Sequence, residues 1–478
     1  MNQLEKAMIL VETDPDKAMK EVSDYLNEHP NSPDALATAA YIEMQCERFG
    51  IAWAFLDKAL KVWPNNSPLL NNVGMCALGC MKLDDAESVL KRALKLDPKN
   101  VPAMNNLALV YVNKCEPKEA IKLIDKADSI SPKDTARQES RGYASLLLGN
   151  YKEGWRDFEG GVGGKIRKLR GLVPEWDGSP VKTLVVRGEQ GIGDEISFSS
   201  MISSIKNVER IVIECDKRLE KLFERSFPNC IVYGTRFDKT PYWMRHESPD
   251  AEVLMGSLAK FYRNSPEEFP GTPYLHADPQ RVLQWDSLLK AISPKLKIGI
   301  AWTGGRAGTH TQRRSLDLES MLPILRQDAT FISLQYTDCS EEIETFTVKH
   351  GIKIWDWPRA TRVFDYDDTV ALIDSLDLII TVQTSVVHVA GALGKPVWAM
   401  IPSKPLWRYK LEGKFDWCKS VKLYRQKRDW AAVINKIAED LRDLLTEQGS
   451  ETPTEANRDK KQYTHRPDSR SVNTVGLM

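Results

Sequence analysis

Apolar positions in the first third of the chain recur at helical spacing, and the helices they predict come in pairs. Leu70, Val73, Gly74 and Ala77 share one helix face, and Ala86, Leu90 and Ala93 share a face of the next. Pro98 follows and stops the second helix. The set Ala52, Leu56, Ala59 and Pro64 returns as Ala86, Leu90, Ala93 and Pro98, then as Ala120, Ile124, Ala127 and Pro132. The offset is 34 residues each time. A half-copy precedes these (Ala18, Val22, Tyr25, Pro30), and a degenerate copy follows from Gly142 to Phe158, with Gly154 in place of the inner alanine. Small side chains at Gly74 and Ala86 predict close packing within a pair.

From about residue 182 the pattern changes to short β-branched runs separated by helical stretches. Thr183–Arg187, Arg210–Glu214 and Cys230–Tyr233 predict one set of strands. Lys297–Trp302, Phe331–Leu334, Ile352–Trp355, Leu378–Val382 and Pro396–Ile401 predict a second. Continuous apolar strands alternating with helices imply parallel sheets covered on both faces. Pro241 to Pro279, between the sets, reads as irregular, and a last helix is expected at Trp430–Leu445, packed back on the first sheet domain. Residues 448–478 are polar and aperiodic and read as a disordered tail.

The 34-residue register resembles the tetratricopeptide repeat. It implies a right-handed helical solenoid over 1–168, with full repeats at 33–66, 67–100 and 101–134 plus degenerate flanking copies, and a concave face that binds a partner. Two Rossmann-like domains are expected after it, 181–295 and 296–447, sharing a cleft at the carboxyl ends of their strands. The expected fold class is therefore α followed by α/β.

Lysine plus arginine and aspartate plus glutamate both number 66, for a net charge of zero. This argues against a dedicated nucleic-acid binder, whose affinity comes from a basic excess. No apolar run approaches the roughly 20 residues of a membrane helix. The eight cysteines form no Cys-x-x-Cys pair, which indicates neither a zinc site nor a disulfide framework. Cys76 and Cys80, one helical turn apart, read as small buried apolar residues. Together with an amino terminus unlike a signal peptide, these features read as cytoplasmic.

Two loops carry candidate chemistry. The first, Arg187 to Glu195, follows the first strand of the first sheet, and Gly188, Gly191 and Gly193 permit a tight turn against a ligand. It is neither a dinucleotide fingerprint nor a Walker loop. Asp194 falls where a helix should start, so it is either a cap or a catalytic base at the mouth of a cleft. Glu189 and Glu195 are its competitors. The second loop, Thr381 to Pro396, opens a helix at Thr384 or Ser385. Amides at Ser385, Val386 and Val387 with the Thr384 and Ser385 hydroxyls suit an anion, and His388 in the first turn can reach the same place. Asp365-Tyr-Asp367 fits a metal-binding Asp-x-Asp, but it precedes a helix and reads better as a cap.

These stretches together resemble the heptosyltransferase-like glycosyltransferases (family 9), in the branch fused to tetratricopeptide repeats in bacteria and phages. The matching residues are Gly188–Asp194, Ile298–Gly305 with Arg313, Arg314 and Ser315, Phe331–Gln335, Asp367–Ile373, Thr384–Pro396 and Pro405–Arg408, with Gly149–Phe158 at the join. The resemblance implies a GT-B fold and inverting, metal-independent transfer from a nucleotide-sugar donor, without a cofactor. It puts Asp194 in the place of the catalytic base. It puts Gln383, Thr384, Ser385, Val386, His388, Arg313, Arg314, Ser315, Gln335 and Arg408 around the donor, and a protein or glycan acceptor on the repeats. Gln383 departs from the family, where aspartate is usual near the donor sugar, and Leu406 departs where aspartate commonly precedes Trp-Arg. Two other function classes remain open from the sequence: a non-catalytic adaptor on the same fold, and a phage sugar transferase acting on DNA or nucleotides.

Overall fold

The computed structural model describes residues 2–132, 134–164, 167–305, 314–362 and 365–450, with residues 448–450 described by their backbone alone. The expected tail, apart from its first residues, lies outside them, as does Arg313.

The amino-terminal part is built of antiparallel helix pairs. Gln3–Leu10 and Pro15–Glu28 form the first, Pro33–Gln45 and Phe49–Val62 the second, and Ser67–Gly79 and Leu83–Leu96 the third. Val101–Asn113 with Pro117–Ile130, and Thr135–Leu148 with the short Tyr151–Phe158, complete the series. The first helices of the full repeats start alike: Ser32, Asn66 and Asn100 each accept a hydrogen bond from the backbone three residues on, and proline follows in the first turn. That pairing satisfies exposed amides where proline needs none. The periodic alanines Ala52, Ala86 and Ala120 are fully buried. Cys76 is buried as expected, while Cys80 is only half-buried. At Gly74 a β-carbon would stand 2.4 Å from Leu90 Cγ, so glycine there is a packing requirement.

Two parallel sheets follow. The first has the order β3-β2-β1-β4, from β1 Val181–Arg187, β2 Val208–Glu214, β3 Cys230–Tyr233 and β4 Ala251–Leu254. The second has the order β10-β9-β8-β5-β6-β7. Its strands are β5 Lys297–Ala301, β6 Thr330–Ser333, β7 Ile354–Trp355, β8 Leu378–Val382, β9 Val397–Ile401 and β10 Val421–Arg425. Chain order reverses between β1 and β4 in one sheet and between β5 and β8 in the other. Loops at such reversals form crevices at the carboxyl ends of strands. Both loops singled out in the sequence lie there.

Three expectations need correction. The stretch read as irregular contains β4 and the short helices Met255–Leu258 and Ala259–Tyr262, whose Ala251, Val253, Met255 and Leu258 are core residues. Strand β10 was missed because Lys422 and Arg425 break its apolar run at the sheet edge. The last helix runs Trp430–Ser450 and packs on the second sheet's own core, against Ile298, Ile300 and Met321, not on the first domain. Val433, Ile434, Ile437 and Leu441 make the buried stripe of this helix in that core.

The solenoid and both sheet domains meet in one aromatic junction. Trp155, fully buried on the last repeat helix, lies edge-on to Phe158, Phe198, Trp407 and Trp417, at 5.3–6.5 Å between centroids. Its indole N–H donates to Arg263 O at 2.7 Å. Gly142 and Gly154 let the final pair close: β-carbons there would meet the Phe158 backbone at 2.5 Å and Leu146 at 2.7 Å.

Substituting Gly74→Ala is expected to destabilise the fold by about 1–3 kcal/mol through overpacking against Leu90, measured as a lowered urea midpoint.

Candidate functional site

Helix Ile192–Ser199 begins at the end of the glycine-rich loop, and helix Ser385–Ala392 begins directly after β8. The two amino termini face each other across the domain seam. A β-carbon on Gly193 would lie 3.2 Å from the His388 ring and 3.4 Å from Ser385 Cα, so the two helix starts are in close contact here and a side chain would require the His388 ring to give by a few tenths of an ångström. The expected open cleft is closed at this point.

Asp194 is not the helix cap. Gly191 occupies that position, and Asp194 is the third helical residue, reaching back to accept from Gly191 N at 2.8 Å. Its other oxygen pairs with the Arg408 guanidinium of the second domain. Asp194 keeps 22% side-chain exposure whereas Arg408 keeps 6%. The Arg408 guanidinium stands over the rings of Phe198 and Trp407, at 5.0 and 4.2 Å from their centroids. Its Nε has no hydrogen-bond partner, and its Nη2 has the charge of Asp194 without an aligned hydrogen bond.

Glu189 and Glu195, the competitors, are committed elsewhere. Glu189 is buried against Arg167, 2.6 Å from its Nε, and accepts from Gly256 N; burial raises its pKa while Arg167 opposes the rise. Glu195 is pushed up to about 7 by burial, held against Arg236 and the Asp216 amide. Both carboxylates tie the loop to the first domain.

On the second loop, Thr384 caps the helix with its own side chain. Val386 N donates to Thr384 Oγ1 at 3.2 Å and Val387 N to Thr384 O at 3.2 Å, so two of the three amides expected to be free are taken up locally. His388 does not face an anion. Its Nδ1 lies 2.8 Å from Ser197 Oγ across the seam and its Nε2 3.4 Å from Tyr409 Oη. Burial, with Arg408 and Arg314 nearby, pushes its pKa down to about 3, so the imidazole is neutral at ordinary pH. Gln335, expected near the donor, is buried and holds the loop after β5 through Thr303. Ser315 does similar work by accepting from Gly304 N at 3.2 Å. Arg314 donates to Gln383 O at 3.2 Å, and burial lowers its pKa. Gln383 is 1% exposed; its Oε1 accepts weakly from Leu406 N at 3.4 Å, and its Nε2 has no partner. Gly188, just after β1, would bring a β-carbon to 2.6 Å from the Glu195 carboxyl, so it serves packing of the loop. Asp365 caps its helix and pairs with Arg281, and Asp367 pairs with Arg225 at 2.7 Å. Neither points to a metal.

The structure thus brings Asp194, Gln383, Arg314 and Arg408 together. It also adds groups that sequence reasoning missed. A cavity of about 120 Å³ lies between the solenoid and the second domain, lined by Val112, Asn113, Tyr143 and Leu147 on one side and by Arg314, Gln383 and residues 402 and 404–407 on the other. The only sequence signal for a solenoid wall was the Gly149–Phe158 join, which says that the units meet and not where.

A tetratricopeptide repeat family model matches residues 82–140. The amino-terminal region therefore consists of tetratricopeptide repeats, a motif that points to protein interaction. Protein FlbA of Caulobacter vibrioides is 29% identical over 330 residues, covering 64% of this chain and 55% of that protein. The chain thus spans about half the length of the curated relative it matches. Among solved structures, a thermophilic tetratricopeptide protein of Thermus thermophilus is similar at 19% identity, covering 33% of this chain and 87% of that one, with TM-score 0.31. MamA from Desulfovibrio magneticus is similar at 18%, covering 33% and 92%, with TM-score 0.29. Among the described residues, no helix is long and apolar enough to cross a membrane.

The depressed pKa of His388 sets a sign for pH dependence. The unfolded imidazole binds protons below about 6.5 while the folded one stays neutral, so its contribution is full above that pH and is lost on acidification towards 3. Glu195, with its raised pKa, acts oppositely, losing its contribution as pH rises towards 7. His388→Gln is therefore expected to flatten the fall in stability between pH 6.5 and 4, read from urea midpoints across that range.

Proposed function

We propose that this protein is a glycosyltransferase moving a sugar from a nucleotide-sugar donor to an acceptor recognised partly by the repeats, with inversion and without a metal. The carrying observation is the convergence of Asp194, on the first domain, with buried and incompletely bonded donors, Arg408 and Gln383, on the second. A buried donor without a partner costs about 1–3 kcal/mol. A diphosphate offers several acceptor oxygens to such groups. The two parallel sheets with their chain reversals facing one seam support a GT-B arrangement.

In this reading the diphosphate draws Arg408 from Asp194 and binds between Arg408 and Arg314, beside the start of the helix Ser385–Ala392. Asp194 then takes the proton from the acceptor hydroxyl as its oxygen bonds to the anomeric carbon. The bond from that carbon to the phosphate oxygen breaks, and the nucleoside diphosphate leaves with the electron pair. Arginines and the helix dipole carry its charge. Proton removal of this kind contributes roughly 10²–10⁴-fold.

The adaptor reading retains one specific support: the Asp194–Arg408 pair closes the seam, and Gln383 supplies no carboxylate. Calorimetric titration with UDP, GDP and ADP separates the two. Binding of one of them at micromolar to low millimolar strength, weakened by Arg314→Ala and Arg408→Ala, is expected for the transferase; binding of none favours the adaptor.

Asp194→Asn is expected to cut turnover of the bound nucleotide-sugar with its acceptor by at least about a hundredfold while donor affinity holds, as for an interaction made only in the transition state. Unchanged turnover would remove Asp194 from the catalytic role.

A further inference from the structure

Behind the seam, away from the facing helix starts, lies a second cavity, of about 410 Å³. The first sheet domain lines it with Ser200, Ser203, Ser204, Ser226 and Arg263, and the second lines it with Trp417. The segment 269–276, which includes Phe269 and Tyr274, closes it between them. Tyr274 joins the two helices that begin at the candidate site. Its hydroxyl donates to Ile196 O at 2.8 Å and its backbone N–H to Ala392 O at 2.9 Å. Ser200 follows the far end of the helix that carries Asp194.

No acidic side chain lines this cavity, and its permanent charge is Arg263. Among the described residues four arginines are buried: Arg137, Arg167, Arg263 and Arg408. The first, second and fourth each have a carboxylate within ion-pair distance, on Asp128, Glu189 and Asp194. Arg263, 3% exposed, has only carbonyls and a hydroxyl. Its Nη1 donates to Tyr262 O at 2.7 Å and its Nη2 to Ser200 O at 3.1 Å, while its Nε has no acceptor. Burial lowers its pKa, and Glu268 and Tyr274 oppose this from longer range. A buried charge is tolerated when it is paired, and an uncompensated one opposes folding. The Trp417 indole N–H, buried on the second domain, lacks an acceptor as well. Ser226 Oγ accepts from His276 N at 3.0 Å, which leaves its own proton to give.

We propose that this cavity binds a small organic oxyanion, a carboxylate or a phosphate monoester, as the counter-ion of Arg263. Such a group offers several acceptor atoms at once to the guanidinium, the indole and the serine hydroxyls. The volume lies within the roughly 300–1,000 Å³ of small-molecule sites. Phe269, Tyr274 and Trp417 give the organic body an aromatic wall, where a bare ion would leave most of the space to water. The bound anion touches both sheet domains, at the helix ends remote from Asp194 and Ser385. Its binding does not depend on the transferase reading.

The test is calorimetric titration of the full chain with glucose 6-phosphate and glucuronate, with inorganic phosphate and acetate as the bare anions and glucose as the uncharged control. At least one of the two organic anions is expected to bind about tenfold or more tightly than glucose and than its bare anion. Arg263→Met is expected to weaken that binding at least about tenfold. Ser203→Glu, which sets a carboxylate at an exposed position on the rim, is expected to do the same and decides the matter if Arg263→Met fails to fold. Arg314→Ala combined with Arg408→Ala strips the candidate diphosphate position and is expected to leave oxyanion affinity intact. No binding above glucose overturns the proposal, as do bare anions that bind equally well, unchanged affinity in Ser203→Glu, or loss of affinity in the double arginine variant. UDP, GDP or ADP binding is read in the same variants, so failure of this site and failure of the transferase reading are told apart.

Discussion

Trp155 is the contact on which the arrangement depends. It belongs to the last helix of the solenoid, yet its ring packs on Phe198 of the first sheet domain and on Trp407 and Trp417 of the second. Buried aromatic rings carry a large apolar area and prefer such edge-on geometry. Around it, Tyr151 Oη donates to Asp416 and Arg167 joins Glu159 to Glu189, so polar ties run from the repeats into both domains. Removing the repeats would expose this surface. The solenoid is therefore a structural part of the seam, and the loop 402–407 that helps line the cavity is held between solenoid and sheet.

The carboxylates near the seam divide by burial. Glu189, Glu195 and Glu214 are at most 1% exposed and each has an arginine partner; Glu214 has two, Arg170 and Arg187, plus the Trp243 indole. A buried charge is tolerated only when paired and hydrogen-bonded. These groups are consequently fixed. Asp194 alone of this loop's acids retains solvent contact, and its arginine partner keeps unused hydrogen-bonding capacity. That difference sets Asp194 apart from Glu189 and Glu195 as the carboxylate at the seam that stays partly open to solvent.

The repeats were legible because each element buries a face against its immediate neighbour, and the period of Ala52, Ala86 and Ala120 records that burial directly. Eight of the ten strands among the described residues were legible for the same reason, as apolar runs such as Leu378–Val382 covered on both faces. Strand β4 was hidden among prolines, and β10 was hidden by charges at the sheet edge. The partner of the last helix could not be read, since an amphipathic stripe states that it will be covered and not by what.

At the site, the sequence by itself determined which loops would lie at strand ends and that a helix would open at Thr384 or Ser385. These are local properties of backbone freedom and side-chain period. Only the tertiary structure decided that His388 turns to Ser197 and stays neutral and that Asp194 meets Arg408. Pairings across some 200 residues depend on how three units close around Trp155. That closure is set by the summed burial of aromatic surface from distant segments, which leaves no periodic trace in any one of them.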